Sequence, residues 1–454
     1  MASAADNMAQ GLSLSKFAQA TDLKKRLWFT IGVLIVFRML SYVPLPGVDP
    51  TALGLLSQQT RGGVLDFFNA FSGGSLSRMS LTALGVMPYI TASIVVQLAT
   101  SLSPTLASIK KDGESGRKRL NQYTRYGTVA LTAVQGYFIA VGLEALGASQ
   151  GVQAIVEPGM LFRVGAVISL VGGTMFLMWL GEQITARGIG NGMSLIIMAG
   201  IVASLPTTLY NLFEGGRSGS TSGVTILAIV VAVILLVLFI CFMERAQRRI
   251  LIQYPKRQTQ RGMQADRSHL PLKLNTAGVI PPIFASSLLL MPLTISQFAG
   301  QRVAGESRWG DFIITLNQYL QHGSPVYMAL YAAGIIFFSF FYTAVVFNPE
   351  ETADNLKRYG GFVPGIRPGK NTETYFDYVL TRITVIGAAY LTIICLLPEY
   401  LVSALSIPFY LGGTSLLIVV NVTMDTVTQI QSHLLAHQYG DLIKKAKLKG
   451  GRLR

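Results

Sequence analysis

Charge is scarce in this chain. Of 454 residues only 13% are Asp, Glu, Lys or Arg, while 51% are apolar. Soluble proteins carry about 25% charged residues. The balance excludes a large soluble core and points to an integral membrane protein. Cysteine is nearly absent too: Cys241 and Cys395 both sit inside apolar runs. That excludes a disulfide framework and any CxxC metal site.

Enzyme signatures are equally thin. His433 and His437 share a helix face, but no Glu follows His433, so the zinc-protease pattern is missing. Gly361 to Lys370 has the outline of a phosphate loop. Pro364 stands where its first glycine belongs, and Asn371 replaces the Ser or Thr. Gly188-Ile189-Gly190-Asn191-Gly192 follows an apolar span and not a strand, so it is a glycine turn and not a dinucleotide site. No metal, no cofactor and no catalytic constellation is expected, and any work done on a substrate needs an outside engine. Span centres also lack ionisable groups: Arg38, Arg125, Glu182 and Asp425 lie near span ends. An ion-coupled secondary transporter would carry such groups at mid-membrane, so it stands as the alternative reading.

What the chain does have is long apolar runs. Ten reach spanning length: Leu27–Val43, Met79–Ser101, Tyr123–Leu146, Leu161–Ile184, Met193–Tyr210, Val224–Met243, Thr276–Phe298, Val326–Phe347, Tyr378–Leu397 and Pro408–Ile430. The fifth is the weakest, because Pro206 interrupts it. The first 26 residues are polar, with Lys16, Lys24, Lys25 and Arg26 just before the first run. No small-residue cleavage site follows that run, so it reads as a retained helix.

The net charge of +15 is distributed by topology. Alternate loops and both tails hold 29 of the 37 Lys and Arg, the opposite side holds 6, and Arg38 and Arg125 lie within runs. The positive-inside rule therefore puts both termini in the cytoplasm. Two cytoplasmic loops exceed what topology needs. Glu244–Lys273 is basic and polar, with Lys256, Arg257 and Arg261; Asn348–Asp377 packs Gly and Pro around Arg367. A Gly/Pro-dense loop forms a stiff turn. These loops are either solvated positive-inside segments or a docking surface for a large acidic or RNA-bearing partner.

One stretch stands apart, from Gly62 to Ser101. Gly62-Gly63 and Gly73-Gly74 bracket Val64, Leu65, Asp66, Phe67, Phe68, Asn69, Ala70 and Phe71. Eight helical residues reach only about 12 Å against a hydrocarbon core of about 30 Å. The segment is either a re-entrant piece covered by protein or an interfacial helix outside the membrane. Elsewhere, aliphatic side chains fall at helical spacing. Val86 and Ile90 are four apart, as are Met193 and Ile197; Ile283 and Ile418 sit mid-span in the seventh and tenth runs. Spacing alone does not separate a pore lining from ordinary packing.

Five motifs in order resemble one family. They are Gly85-Val86-Met87-Pro88-Tyr89-Ile90-Thr91-Ala92-Ser93, then Gly181-Glu182-Gln183-Ile184 with Gly188-Ile189-Gly190-Asn191-Gly192. Leu270-Pro271-Leu272-Lys273 with Gly278-Val279-Ile280-Pro281, Pro364-Gly365-Ile366-Arg367-Pro368-Gly369, and Gly412-Gly413-Thr414-Ser415 follow. The chain resembles the SecY family of protein-conducting channels over nearly its whole length.

The resemblance implies an all-α integral membrane fold of ten transmembrane helices in two inverted pseudo-symmetric five-helix halves. These would be residues 27–210 and 211–432, between a cytoplasmic segment 1–26 and a basic tail 433–454. It makes residues 63–74 a short re-entrant plug helix. It implies an hourglass pore closed by a ring of Val86, Ile90, Met193, Ile197, Ile283 and Ile418; the family favours isoleucine there, and Val86 and Met193 depart from it. It implies a lateral gate to lipid between the second and third spans and the seventh and eighth, lined by Thr91, Gln97 and Asn275. These polar residues are expected to bond one another across the closed seam. The partners it implies are the SecE and SecG subunits, the SecA motor, the ribosome, signal peptides and nascent chains, met through Lys256, Arg257, Arg261 and Arg367. The implied location is the bacterial inner membrane.

Overall fold

The fold was obtained as a computed structural model, which describes residues 21–49, 69, 72–150, 155–218, 222–254, 257–259, 262–264, 267–289, 319, 324–405 and 412–450. Twelve helices are used below. They are α1 (Thr21–Leu40), α2 (Met87–Leu102), α3 (Pro104–Lys111), α4 (Glu114–Gln150), α5 (Met160–Arg187), α6 (Gly192–Arg217), α7 (Gly223–Arg245), α8 (Ile280–Leu289), α9 (Pro325–Val346), α10 (Pro349–Arg358), α11 (Lys370–Leu405) and α12 (Gly413–Gly450). Four strands lie between α7 and α8: β1 (Gln247–Gln253), β2 (Arg257–Thr259), β3 (Gly262–Gln264) and β4 (Arg267–Lys273).

Among the described residues six helices are long and apolar enough to cross a membrane, or seven if the α2–α3 pair, bent by 106°, counts as one span. They coincide with the second to sixth, eighth and ninth expected runs. Of the seventh run the described part is α8, ten residues long and too short to span alone. α7 is the plainest case. No charge interrupts Val224–Met243, and Arg245 closes the last turn, where the helix dipole favours a cation. Only 6% of its apolar window is buried within the chain.

Two boundaries differ from expectation. The second run was expected to be helical from Met79, yet residues 72–86 form turns and α2 begins at Met87. Gly85 adopts φ +57°, and proline is favoured in the first turn of a helix, where Pro88 stands. Conversely, α6 runs unbroken through Pro206. Membrane helices tolerate an internal proline when neighbouring groups satisfy the freed carbonyl.

The chain forms two compact units. The first comprises Met1–Ala92, Tyr123–Pro206 and Ile418–Arg454; the second comprises Ser93–Gln122 and Thr207–Leu417. In the first unit, α5 buries Leu170, Leu177 and Ile184. A Cβ on Gly173 of α5 would fall 2.0 Å from the Leu81 carbonyl oxygen, so only glycine allows the turn segment this approach.

In the second unit, the long basic loop after α7 is not a loop. β1 and β4 pair antiparallel from Gln247↔Lys273 to Gln253↔Arg267, and β2 pairs with β3. The alternation in Gln247–Gln253 explains it: Ile250 and Ile252 point inward, and Arg248 and Arg249 stay exposed. Ile250, Ile252 and Leu272 pack with Leu356 of α10, Val363, and Phe376, Val379, Leu380 and Ile383 of α11. Burial of each such side chain contributes about 1.5–3 kcal/mol. Gln253 and Phe362 exchange backbone hydrogen bonds of 2.9 and 3.0 Å, joining the ribbon to the Gly/Pro turn. α10 is capped at both ends: Asn348 accepts from the Glu350 and Glu351 amides, and Lys357 and Arg358 close the last turn.

Candidate functional site

The turns before α2 are irregular backbone beside apolar spans, so their polar groups must find protein partners. They do. The Leu45 amide donates to the Met79 carbonyl at 2.8 Å, and the Leu81 amide to that of Val43 at 3.0 Å. Inside, Ser80 and Thr82 hydroxyls lie 3.1 Å apart, Thr82 donates to Ser75, and Ser75 donates to the Ser72 carbonyl. This buried hydroxyl chain fixes the segment that ends in Val86. From there the Ile90 amide donates back to Val86, the first helical bond of α2.

The first unit thereby gathers apolar side chains around a small cavity. A cavity of about 20 Å3 is lined by Phe37, Ser72, Leu84, Gly85, Val86, Met87, Ile90, Ile196 and Ile197. That volume holds about one water molecule. Val86, Ile90 and Ile197, three of the expected ring residues, thus meet at one place. Met193 does not line it: its sulfur packs over α5, 2.6 Å from where a Cβ on Gly181 would stand. Ile418 is buried in α12 at 1% exposure, and Ile283 is buried in the second unit. Phe37, Leu84 and Ile196 are lining residues that spacing did not reveal, since none falls on the i, i+4 stripes.

Of the expected plug, residues 63–74, only Asn69, Ser72, Gly73 and Gly74 lie within the described residues, the last three in turns; Val64, Leu65, Asp66, Phe67, Phe68, Ala70 and Phe71 lie outside them. Asn69 accepts from the Gly74 amide through its carbonyl at 2.8 Å and from the Ser77 amide through its side chain at 3.0 Å. Beside it, Arg38 and Arg78 both donate to the Gly73 carbonyl, at 2.6 and 3.1 Å, and both guanidinium groups lie over the Tyr42 ring.

The expected gate residues bond locally. Thr91 donates to the Met87 carbonyl one turn back, and the Gln97 amide donates to Ser93 at 3.2 Å. Asn275 donates to the Glu244 carboxylate at 2.6 Å and to the Gly278 carbonyl at 3.1 Å. A carboxylate is a stronger acceptor than an amide oxygen, which accounts for this choice. Near the gate positions α8 packs on α9 through Phe284, edge-on to Phe338 at 5.7 Å and to Tyr342 at 6.5 Å.

Of the partner-binding candidates, Arg367 is exposed on the turn that Val363 anchors in the core formed by Ile250, Ile252 and Phe376. Arg257 belongs to β2; Lys256 and Arg261 lie outside the described residues. Among span-end charges, Arg125 and Glu182 pair with each other at 2.6 Å. Arg163 pairs with Glu144 at 2.6 Å, and Glu144 also accepts from the Gly159 amide at the start of α5.

Comparison with known proteins agrees over nearly the whole chain. The SecY family model matches residues 80–427. The protein translocase subunit SecY of Escherichia coli (strain K12) is 54% identical over 430 residues, 94% of this chain and 96% of that one. That of Vibrio cholerae is 53% identical over 431 residues, 95% and 96% of the two chains. Among solved structures, one described as the structure of a protein conducting channel superposes with a TM-score of 0.63 at 16% identity, covering 90% of this chain and 92% of the other. Sec61 in a canine ribosome–channel complex gives 0.62 at 16% identity, with the same coverage.

Proposed function

The chain belongs to the SecY family, and from that membership we propose how it works as the central subunit of a protein-conducting channel. Unfolded secretory polypeptides cross through a pore between two five-helix halves, ten spans in all. Hydrophobic signal and membrane-protein helices leave sideways into lipid. Nothing in the relatives or in the site favours an ion-coupled transporter.

The observation that carries the reading is the constriction at Val86, Ile90 and Ile197, apolar except for Ser72 and with room for about one water. An apolar neck of this size excludes ions by dewetting yet offers no polar site on which a passing chain would stick. Met193, Ile283 and Ile418 complete the ring. Met193 reaches it by swinging off Gly181, which a flexible thioether side chain does readily. The plug, residues 63–74, is a second obstruction. Thr91, Gln97 and Asn275 line the gate; the neutral bonds of Thr91 and Gln97 are weak, of the order of the about 0.6 kcal/mol by which a bilayer hydrogen bond couples, and a signal helix exchanges them for its own contacts.

Force comes from outside, because the chain carries no nucleotide motif. The platform of β1, β4, α10 and the Arg367 turn is the docking surface for the SecA motor or a translating ribosome. Its rigid fork of guanidinium donors suits carboxylate or phosphate. SecE and SecG complete the complex in the bacterial inner membrane, with both termini cytoplasmic.

Reconstitution tests the reading. The chain, purified in mild detergent with its small subunits and placed in vesicles with the motor and ATP, should protect a signal-bearing precursor from added protease. Substrate counterflow by the chain alone, with no precursor protection, would replace this reading with the transporter.

A further inference from the structure

The glycine turn 188–192 joins α5 to α6 in the first unit, and two of its backbone donors are taken up by side chains of distant helices. The Gly188 amide closes α5 on the Ile184 carbonyl at 2.7 Å. The Ile189 amide donates to the Thr30 hydroxyl of α1 at 3.1 Å, across 159 residues of sequence. The Gly190 amide donates to the Gln429 side-chain oxygen of α12 at 2.9 Å, across 239 residues. The Gly192 amide donates to Thr185 of α5, and the Met193 amide to Asn191.

The acceptors are set in orientation. The Thr30 hydroxyl spends its proton on the Arg26 carbonyl at 2.9 Å, which leaves a lone pair for Ile189. The glycines let the helices approach. Gly190 holds φ +87°, and a Cβ there would meet Leu195 at 3.0 Å and Thr426 at 3.4 Å. A Cβ on Gly192 would fall 1.9 Å from the Gly181 carbonyl oxygen. Under the turn, Leu23 of α1, Ile189 and Leu434 of α12 form one buried cluster. Further along, the Thr423 hydroxyl of α12 lies 3.6 Å from the Met198 sulfur of α6.

The turn is continuous with the constriction. α6 starts at Gly192 and carries Met193 and Ile197, and α12 carries Ile418. We propose that Thr30 and Gln429 are positioning residues for the channel seal: from α1 and α12 they grip the same glycine turn and so fix the register in which α6 presents its ring side chains beside those of α12. The inference rests on the channel reading above. Neither residue lines the cavity at Val86 and Ile90. A helix start held by two acceptors from distant elements has one position, whereas a start that has lost one acceptor gains freedom at the ring.

The test uses the full chain with its small subunits in planar bilayers. Gln429→Leu and Thr30→Val remove the acceptor; Gln429→Glu and Thr30→Ser keep one. Gln429 is exposed, and valine is nearly isosteric with threonine, so the variants fold. Resting conductance should rise about two- to tenfold in the Leu and Val variants, the factor expected for one lost hydrogen bond. Export of precursors with weakly hydrophobic signals should rise with it. The Glu and Ser variants should behave as the native protein does, which a merely structural role would not require. Native conductance in the Leu and Val variants, or equal leakage in all four, overturns the inference. Ile283→Asn in the same bilayers separates the two readings. If it leaks while Gln429→Leu and Thr30→Val do not, the positioning role fails and the channel stands. If it does not leak either, the ring fails first.

Discussion

Asn275 donates a hydrogen bond of 2.6 Å to Glu244, and both side chains are buried, at 5% and 7% exposure. The bond ties the end of α7 to the residues before α8. Thr91, an expected gate residue on α2, only returns its hydroxyl to the Met87 carbonyl one turn back. Their substitutions should therefore differ. Asn275→Leu takes a charge-assisted bond from a buried carboxylate and should cost about 1–3 kcal/mol. Thr91→Val removes a local bond that a helix does not need. Thermal unfolding in detergent should show a clear drop for Asn275→Leu and little for Thr91→Val. Equal drops would remove the distinction.

The two ion pairs of the first unit should differ in the same way. Arg125 and Glu182 are 45% and 37% exposed, a setting in which a pair contributes about 0–1 kcal/mol. Arg163 and Glu144 are 20% and 6% exposed, and Glu144 also serves the Gly159 amide. Arg163→Met takes the guanidinium from a buried carboxylate and should destabilise by about 3–5 kcal/mol. Arg125→Met should be nearly silent. The same melting measurement decides, and a reversed order would contradict the burial argument.

Arg367→Glu should leave the fold intact and slow motor-driven translocation into vesicles. The side chain is exposed, while the turn is held by Val363 in the platform core and by the Gln253–Phe362 backbone pair. Ile252→Asp, by contrast, should lose the platform itself, seen as protease sensitivity between α7 and α8. Unmodified translocation by Arg367→Glu would end its docking role.

Orientation can be read chemically. Ser218, at the end of α6, and Ser268, on β4, are both exposed. With single cysteines and an impermeant maleimide on intact cells, Ser218→Cys should label and Ser268→Cys should not. The opposite pattern inverts the topology.

Much of this was legible in the sequence, for identifiable reasons. Uninterrupted apolar runs such as Val224–Met243 declare a membrane helix, because lipid leaves the backbone no other choice. The β1–β4 ribbon was not foreseen: the density of Lys and Arg hid the alternation at Ile250 and Ile252, on which the pairing depends. The start of α2 was missed because hydropathy does not register the backbone constraints of Gly85 and Pro88. The motif Gly188–Gly192 was readable as a turn, but its holders, Thr30 and Gln429, stand 159 and 239 residues from the groups they bind. No local pattern encodes such a pair. Val86, Ile90 and Ile197 followed from motif position, whereas Phe37 and Ile196 became visible only when α1 and α6 were placed around the cavity.

The seal itself is tested by resting conductance. Ile283→Asn and Ile418→Asn each exchange a buried aliphatic group, worth about 1.5–3 kcal/mol, for an amide that water can bond. Both changes favour a wetted pore and shift the population toward open. In planar bilayers these two variants should conduct ions at rest where the native channel does not, and Ile→Val at either position should stay closed. If both asparagine variants remain as tight as the native protein, Ile283 and Ile418 are ordinary packing and the apolar ring is not the seal.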